Sequence, residues 1–118
     1  MNRRETGGRY EDMAAAYLME HGYEIRERNF YSRYGEIDII AGTADLLIAC
    51  EVKYRSGVRR GDPLEAVDFH KQKRICQTML YYFVRHGYGE DTPCRFDVIA
   101  ITGEGAIRHI KNAFEFRS

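Results

Sequence analysis

Tryptophan is absent, proline occurs twice and cysteine three times in a chain of 118 residues. Without tryptophan, and at this size, the chain is poorly suited to carboxylate-pair hydrolysis of glycosides. Cys50, Cys76 and Cys94 stand far apart, with no Cys-x-x-Cys and no histidine at zinc-ligand spacing, so they are expected as reduced, buried thiols. His21, His70, His86 and His109 show no paired spacing either and are expected in surface or interface packing. Neither sign of charge is in excess: 18 basic residues balance 18 acidic ones, which removes whole-molecule attraction to nucleic acid or anionic lipid as an argument. The longest apolar run, Leu46 to Cys50, falls far short of the roughly 20 residues that span a bilayer, so no membrane helix is expected. No apolar stretch follows the charged start MNRRETGGRYEDM, which points to no secretory signal and to a cytoplasmic location. Repeats and low-complexity linkers are also missing. A chain this short is one domain, here residues 1–118, and a separate cofactor module is excluded.

What is present is an ordinary globular balance of 44% hydrophobic and 31% charged residues. Tyr10, Met13, Ala14, Tyr17 and Leu18 recur at helical spacing and predict an amphipathic helix that stops near Gly22. Tyr23 to Tyr31 reads as a strand polar enough for an edge, and Glu36 to Ala41 with Leu46 to Tyr54 reads as an antiparallel hairpin in the sheet centre. Asp62-Pro63-Leu64-Glu65 has the form of a helix start, with Asp62 as cap and Pro63 in the first turn. Leu64, Val67, Ile75, Met79 and Phe83 mark the buried stripe of that helix up to Gly87. Phe96 to Ile101 and Ala106 to Ile110 complete the sheet. The predicted order is α-β-β-β-α-β-β, a single α/β domain with a mixed central sheet flanked by helices.

Three places within this pattern carry charge where apolar residues are expected. Along Leu46 to Tyr54 the side chains alternate, so Leu47, Ala49, Glu51 and Lys53 share one face. A carboxylate and an ammonium there are costly to desolvate unless they pair with each other or hold a metal. Asp38 sits between Ile37 and Ile39 on the neighbouring strand, with Glu36 on its face. It meets Glu51 only if paired residue numbers sum to an odd value such as 87 or 89. Two carboxylates about 4 Å apart repel by roughly 4 kcal/mol at an effective dielectric of about 20, which a divalent, oxygen-ligated cation such as Mg2+ or Mn2+ relieves. Lys71 falls on the buried stripe, four residues from both Val67 and Ile75, and either snorkels past the helix edge or serves a phosphate. Around these positions the chain is locally basic, with Lys53, Arg55, Arg59 and Arg60 followed by Lys71, Lys73 and Arg74. The bland alternative is a solvated surface.

The string Gly35-Glu36-Ile37-Asp38 followed by Glu51-Val52-Lys53 resembles the D...E-x-K signature of restriction-endonuclease-like nucleases. More closely, the chain resembles the YraN-like family of predicted endonucleases, which is similar to archaeal Holliday junction resolvases. The resemblance runs nearly end to end, through Gly8 and Glu11, Gly22-Tyr23, Arg28-Asn29, GEIDII, EVKYR, Gly61-Asp62-Pro63, Lys71 and Arg95-Phe96-Asp97. It implies a restriction-endonuclease-like fold and a Mg2+- or Mn2+-dependent endonuclease acting on branched or structured DNA. It further implies Asp38, Glu51 and Val52 as metal ligands, the last through its backbone carbonyl, Lys53 beside the attacking water and Glu11 as an outer acidic partner. Arg55, Arg59, Arg60, Lys71 and Lys73 are then the expected contacts to nucleic-acid phosphates, and two-fold junctions suggest a homodimer. The competing expectation is a nucleic-acid or protein-binding module that keeps the fold without the chemistry. An acidic pair that repels phosphate is of no use to such a module, which favours catalysis.

Overall fold

The apolar stripe that begins at Tyr10 becomes a helix, α1 (Arg3–Glu20), in a computed structural model that describes residues 3–55 and 67–116, with side chains from Gly8 onward. Ala14 and Leu18 are fully buried along it. The helix ends where Gly22 takes a φ of 89°, which lets the Tyr23 amide reach back to the Leu18 carbonyl at 3.0 Å. The strands follow as β1 (Glu24–Ser32), β2 (Gly35–Gly42) and β3 (Leu47–Arg55), each antiparallel to the last. Helix α2 (Phe69–His86) then crosses to β4 (Cys94–Thr102), which runs parallel to β3 and turns back into β5 (Ile107–Phe114). The five strands lie in the order β1-β2-β3-β4-β5, so β1 occupies an edge, as its polarity predicts.

The sheet carries one helix on each face. Leu47, Ala49, Ile40, Phe96 and Val98 pack with Ile75, Cys76, Met79 and Phe83 of α2. Ile39, Ile48, Cys50, Ile99 and Ile101 pack with Ala14 and Leu18 of α1. Each fully buried Ile or Leu adds about 1.5–3 kcal/mol of burial free energy, so both layers are needed to hold a sheet of this size. Cys50 and Cys76 are buried free thiols, as expected, while Cys94 is half-buried with its pKa pushed up to about 12 by burial. No helix among the described residues is long and apolar enough to cross a membrane.

Three expectations need correction. Helix α2 begins at Phe69 rather than at Pro63: Asp68 holds an extended backbone and its carboxylate accepts the Lys71 amide at 2.8 Å, making it the cap. Val67 is buried but precedes the helix, and Asp62 to Glu65 lie outside the described residues. Strand β5 runs on to Phe114, beyond Ile110, because Phe114 stacks on Phe96 at 5.0 Å after a bulge has reset the register. His109 is not a surface residue. Its side chain is only 4% exposed and bonds Asp97.

Candidate functional site

The pairings Ile39 with Cys50 and Ile40 with Ala49 fix an odd sum of 89, one of the two registers expected for the hairpin. The ladder ends at Ile39 and Cys50. One step further, the Asp38 Oδ2 accepts the Val52 amide at 2.8 Å, so the side chain fills the place of a strand carbonyl. Strict alternation also breaks here, since Ile37 packs on the α2 side whereas Ile39 packs on the α1 side. Asn29 and Asp38 lie between the pairs Arg28–Ile39 and Phe30–Ile37, and Asn29 has a φ of 53°. The reversal brings Glu36 and Asp38 to Glu11 of α1, with one carboxylate oxygen of each within 4.8 Å of the others. Asn29 hydrogen-bonds Glu11, and Arg28 reaches Asp12 at 2.7 Å and Glu11 at 3.9 Å.

Glu51 faces a different set of partners. Its carboxylate, 8% exposed, meets Lys53 at 3.2 Å on its own strand and Lys71 of α2 at 2.8 Å. The face shared by Glu51 and Lys53 is therefore as predicted, and the helix supplies a second ammonium. Burial and the adjoining Lys71 hold the Lys53 pKa below the ordinary lysine range, whereas for Lys71 the pull of burial is outweighed by its bonds to Glu51 and the pKa rises. The site thus wraps the open end of the β2–β3 pair, with Glu11 arriving from one face of the sheet and Lys71 from the other.

Burial first, and the Glu51 charge second, push the Asp38 pKa from 3.8 up to about 7, against the opposing Val52 amide. Burial, and then Glu36, likewise raise Glu11. Below about pH 4 Asp38 is protonated in both folded and unfolded chains. Between its unfolded 3.8 and folded value of about 7 only the folded chain keeps the proton, so this stabilisation falls as pH rises and is gone above about 7. In metal-free protein the loss between about pH 5 and pH 8 is expected to be roughly 2–3 kcal/mol. Asp38→Asn should flatten it. Melting temperatures measured across that range with chelator check this, and an unchanged slope in the variant would remove Asp38 as the source.

Of the expected phosphate contacts, Lys71 is committed to Glu51, Lys73 is exposed on α2, and Arg55 is half-buried at the end of β3, where its carbonyl accepts the Gly103 amide at 3.0 Å. Arg59 and Arg60 lie outside the described residues. Glu36 is the residue that sequence reasoning left without a role. Its place on the Asp38 face was legible, but its approach to Glu11 depends on the turn at Asn29.

A family model described as an uncharacterised protein family, UPF0102, matches residues 10–101. A UPF0102 protein of Lachnoclostridium phytofermentans is 48% identical over 115 residues, covering 98% of this chain and 97% of its own. Another from Rhodococcus opacus is 46% identical, covering 92% of this chain and 94% of its own. A third from Myxococcus xanthus is 38% identical, covering 96% and 91% respectively. The similarity therefore takes in both helices and the whole candidate site.

Proposed function

The chain belongs to the UPF0102 family, and from that premise and the geometry at the end of the β2–β3 pair we propose that it is a metal-dependent endonuclease cutting phosphodiester bonds in branched or otherwise structured DNA. The observation that carries this reading is the gathering of Glu11, Glu36 and Asp38 next to the buried Glu51–Lys53 pair. A purely structural arrangement gains nothing from three acidic groups whose oxygens lie within 4.8 Å of one another. The donor set is all oxygen, with no soft ligand, and Asp38 is raised to about 7, so a hard divalent cation such as Mg2+ or Mn2+ fits. Asp38 and Glu51, with the Val52 carbonyl, are the residues to hold it, and the carboxylates of Glu11 and Glu36 stand beside that of Asp38.

A cation bound there supplies a water of lowered pKa and positive charge opposite the phosphoryl oxygens. The protein's own part is positioning and field. Lys53, 19% exposed and fixed by Glu51, orients the attacking water and adds positive potential where negative charge develops. Glu51 is kept in place by Lys53 from within its strand and by Lys71 from the helix. Glu11 and Glu36 raise the proton affinity of Asp38.

The test is purified protein with Mn2+ on linear, flapped and four-way DNA. Cleavage that needs the metal and prefers branched substrates is the expected result. Binding without cutting in any divalent ion would instead identify a binding module on the same fold. For the basic residues, changing Arg59, Arg60 and Lys73 together to alanine should weaken binding and reduce the slope of log affinity against log salt by about 2.7 if all three meet duplex phosphates. A slope equal to that of wild type assigns these charges to solubility.

A further inference from the structure

The exposed side of α2 carries a second pattern, which begins at Lys71 and continues through residues that the nuclease chemistry does not use. Lys71, Arg74, Tyr81 and Arg85 fall at i, i+3, i+10 and i+14, which is one stripe of a helix. It starts at the Glu51 carboxylate, which Lys71 touches at 2.8 Å, and runs about 21 Å along the axis. The β1–β2 turn lies against its middle. Ser32 Oγ meets Thr78 Oγ1 at 2.8 Å, and a side chain at Gly35 would stand 3.6 Å from Arg74 Cβ. That turn adds Arg33 and Tyr34, and with Tyr81 they line an open cleft of about 390 Å3.

Both tyrosines of the cleft hold an arginine. The Arg33 guanidinium lies 5.0 Å from the Tyr34 ring centre and donates to its hydroxyl at 2.9 Å. The Arg85 guanidinium lies 5.7 Å from the Tyr81 ring centre and donates to its hydroxyl at 3.2 Å. These arginines are exposed, and their hydrogen bonds go to tyrosine rather than to a carboxylate, so their charge is left for an anion. Arg74 is likewise exposed. Among the described residues, ion pairs with carboxylates are seen at the two ends of the stripe, with Glu51 at one and with Glu27 at the other, where Glu27 meets His86 at 3.8 Å.

We propose that this stripe and cleft are the track for an unpaired DNA strand leaving the cleavage site, with Arg33, Arg74 and Arg85 on phosphates and Tyr34 and Tyr81 against bases. The proposal rests on the endonuclease reading and gives its substrate a feature, a single-stranded arm. Rings with prepositioned cations suit unpaired bases, whose faces are open, and not a duplex, whose faces are stacked inside. Holding each arginine on its ring beforehand also reduces the ordering cost on binding.

The test is fluorescence anisotropy in EDTA, with a short labelled oligothymidylate and a blunt duplex of equal length. Tyr34→Leu with Tyr81→Leu keeps apolar packing beside Phe30, whose ring is 5.9 Å from that of Tyr81, but removes both π faces. It should lower affinity for the oligothymidylate about tenfold or more and change duplex binding less than about twofold. Arg33→Gln, Arg74→Gln and Arg85→Gln together, all at exposed positions, should flatten the salt dependence for the single strand by about 2 in slope. Equal losses on both probes, wild-type affinity in both variants, or tighter binding of a matching oligouridylate that the same variants abolish, would each overturn the assignment. Because these measurements contain no metal, they separate from the cleavage assay. Intact Mn2+-dependent cutting with unaltered strand binding sinks the track alone, and strand binding lost in the variants without any cutting by wild type sinks the chemistry alone.

Discussion

Lys53→Ala is expected to slow metal-dependent cleavage about a hundredfold or more while leaving affinity for branched DNA nearly unchanged. Lys53 is largely enclosed, 3.2 Å from Glu51, and burial with a second ammonium beside it holds its pKa down, so in the proposed reaction its contribution would fall on the reacting centre rather than on bulk attraction of phosphate. Only interactions that strengthen in the transition state accelerate the step, and a positioned ammonium beside the attacking water is of that kind. Asp38→Asn should also stop cleavage, by another route. Removing one carboxylate charge lowers metal affinity, so excess Mn2+ should restore part of the rate in Asp38→Asn and none in Lys53→Ala. Metal-free Asp38→Asn should be no less stable than wild type above neutral pH, because the burial and like-charge cost that raise its pKa to about 7 are gone. Cleavage, binding and melting temperature on the three proteins decide the matter. Equal cutting by wild type and both variants would remove the site.

The order of elements was readable because each has its own period: Ala14 and Leu18 at helical spacing, the alternating faces of Leu47 to Lys53, and the apolar run from Phe96 to Ile101. The family resemblance drew on the same residues, and the model match over residues 10–101 agrees with it. What period counting missed sits where a strand stops being regular. At Asn29 and Asp38 the left-handed residue on β1 accompanies a change of face on β2, and that local event, not the spacing, brings Glu36 and Glu11 together. Helix α2 could be recognised but not started correctly, because Asp68 has the same chemistry of a cap as Asp62, and sequence alone did not single it out as the residue that caps α2. Asp97 lay in plain view between Phe96 and Val98, a charge in a buried strand. Its partners are Arg95, two residues away, and His109, on the next strand after an irregular pairing, so only the first could be anticipated.

Asp97 also gives the largest expected effect on stability. Its side chain is fully buried, accepts both Arg95 Nε and Nη2 at 2.9 Å, and takes a 2.7 Å bond from His109 Nε2. The bulge between Phe96 and Val98 coincides with Asn112 in a left-handed conformation at φ 54°, and the Asn112 amide donates to Asp97 at 3.0 Å. Beyond this shell Arg95 bonds the Tyr23 hydroxyl at 3.1 Å and His109 Nδ1 meets the Tyr17 hydroxyl at 3.1 Å, so one carboxylate ties α1, the segment leading into β1, β4 and β5 together. Asp97→Ala should therefore cost about 3–5 kcal/mol, or a fall of very roughly 10–20 °C in melting temperature, since the guanidinium, the imidazole and an amide all lose their acceptor. Asp97→Asn should cost less but still more than about 1 kcal/mol, because its NH2 group faces donors. The pH dependence has the opposite sign to that of Asp38. Burial alone would raise Asp97, but the bonds from His109, Arg95 and Asn112 outweigh it and hold its pKa below the unfolded 3.8, so its stabilisation is present above about pH 4 and is lost as pH falls through the folded value. Wild type should then lose stability on acidification below about pH 4, and Asp97→Ala should show a shallower acid limb on an already lowered curve. Calorimetric melting of both proteins from neutral to acid pH measures the two effects at once. A change of less than about 1 kcal/mol at neutral pH, or an acid limb identical to wild type, would show that the four elements are held by their apolar layers alone and that the carboxylate at the bulge is dispensable.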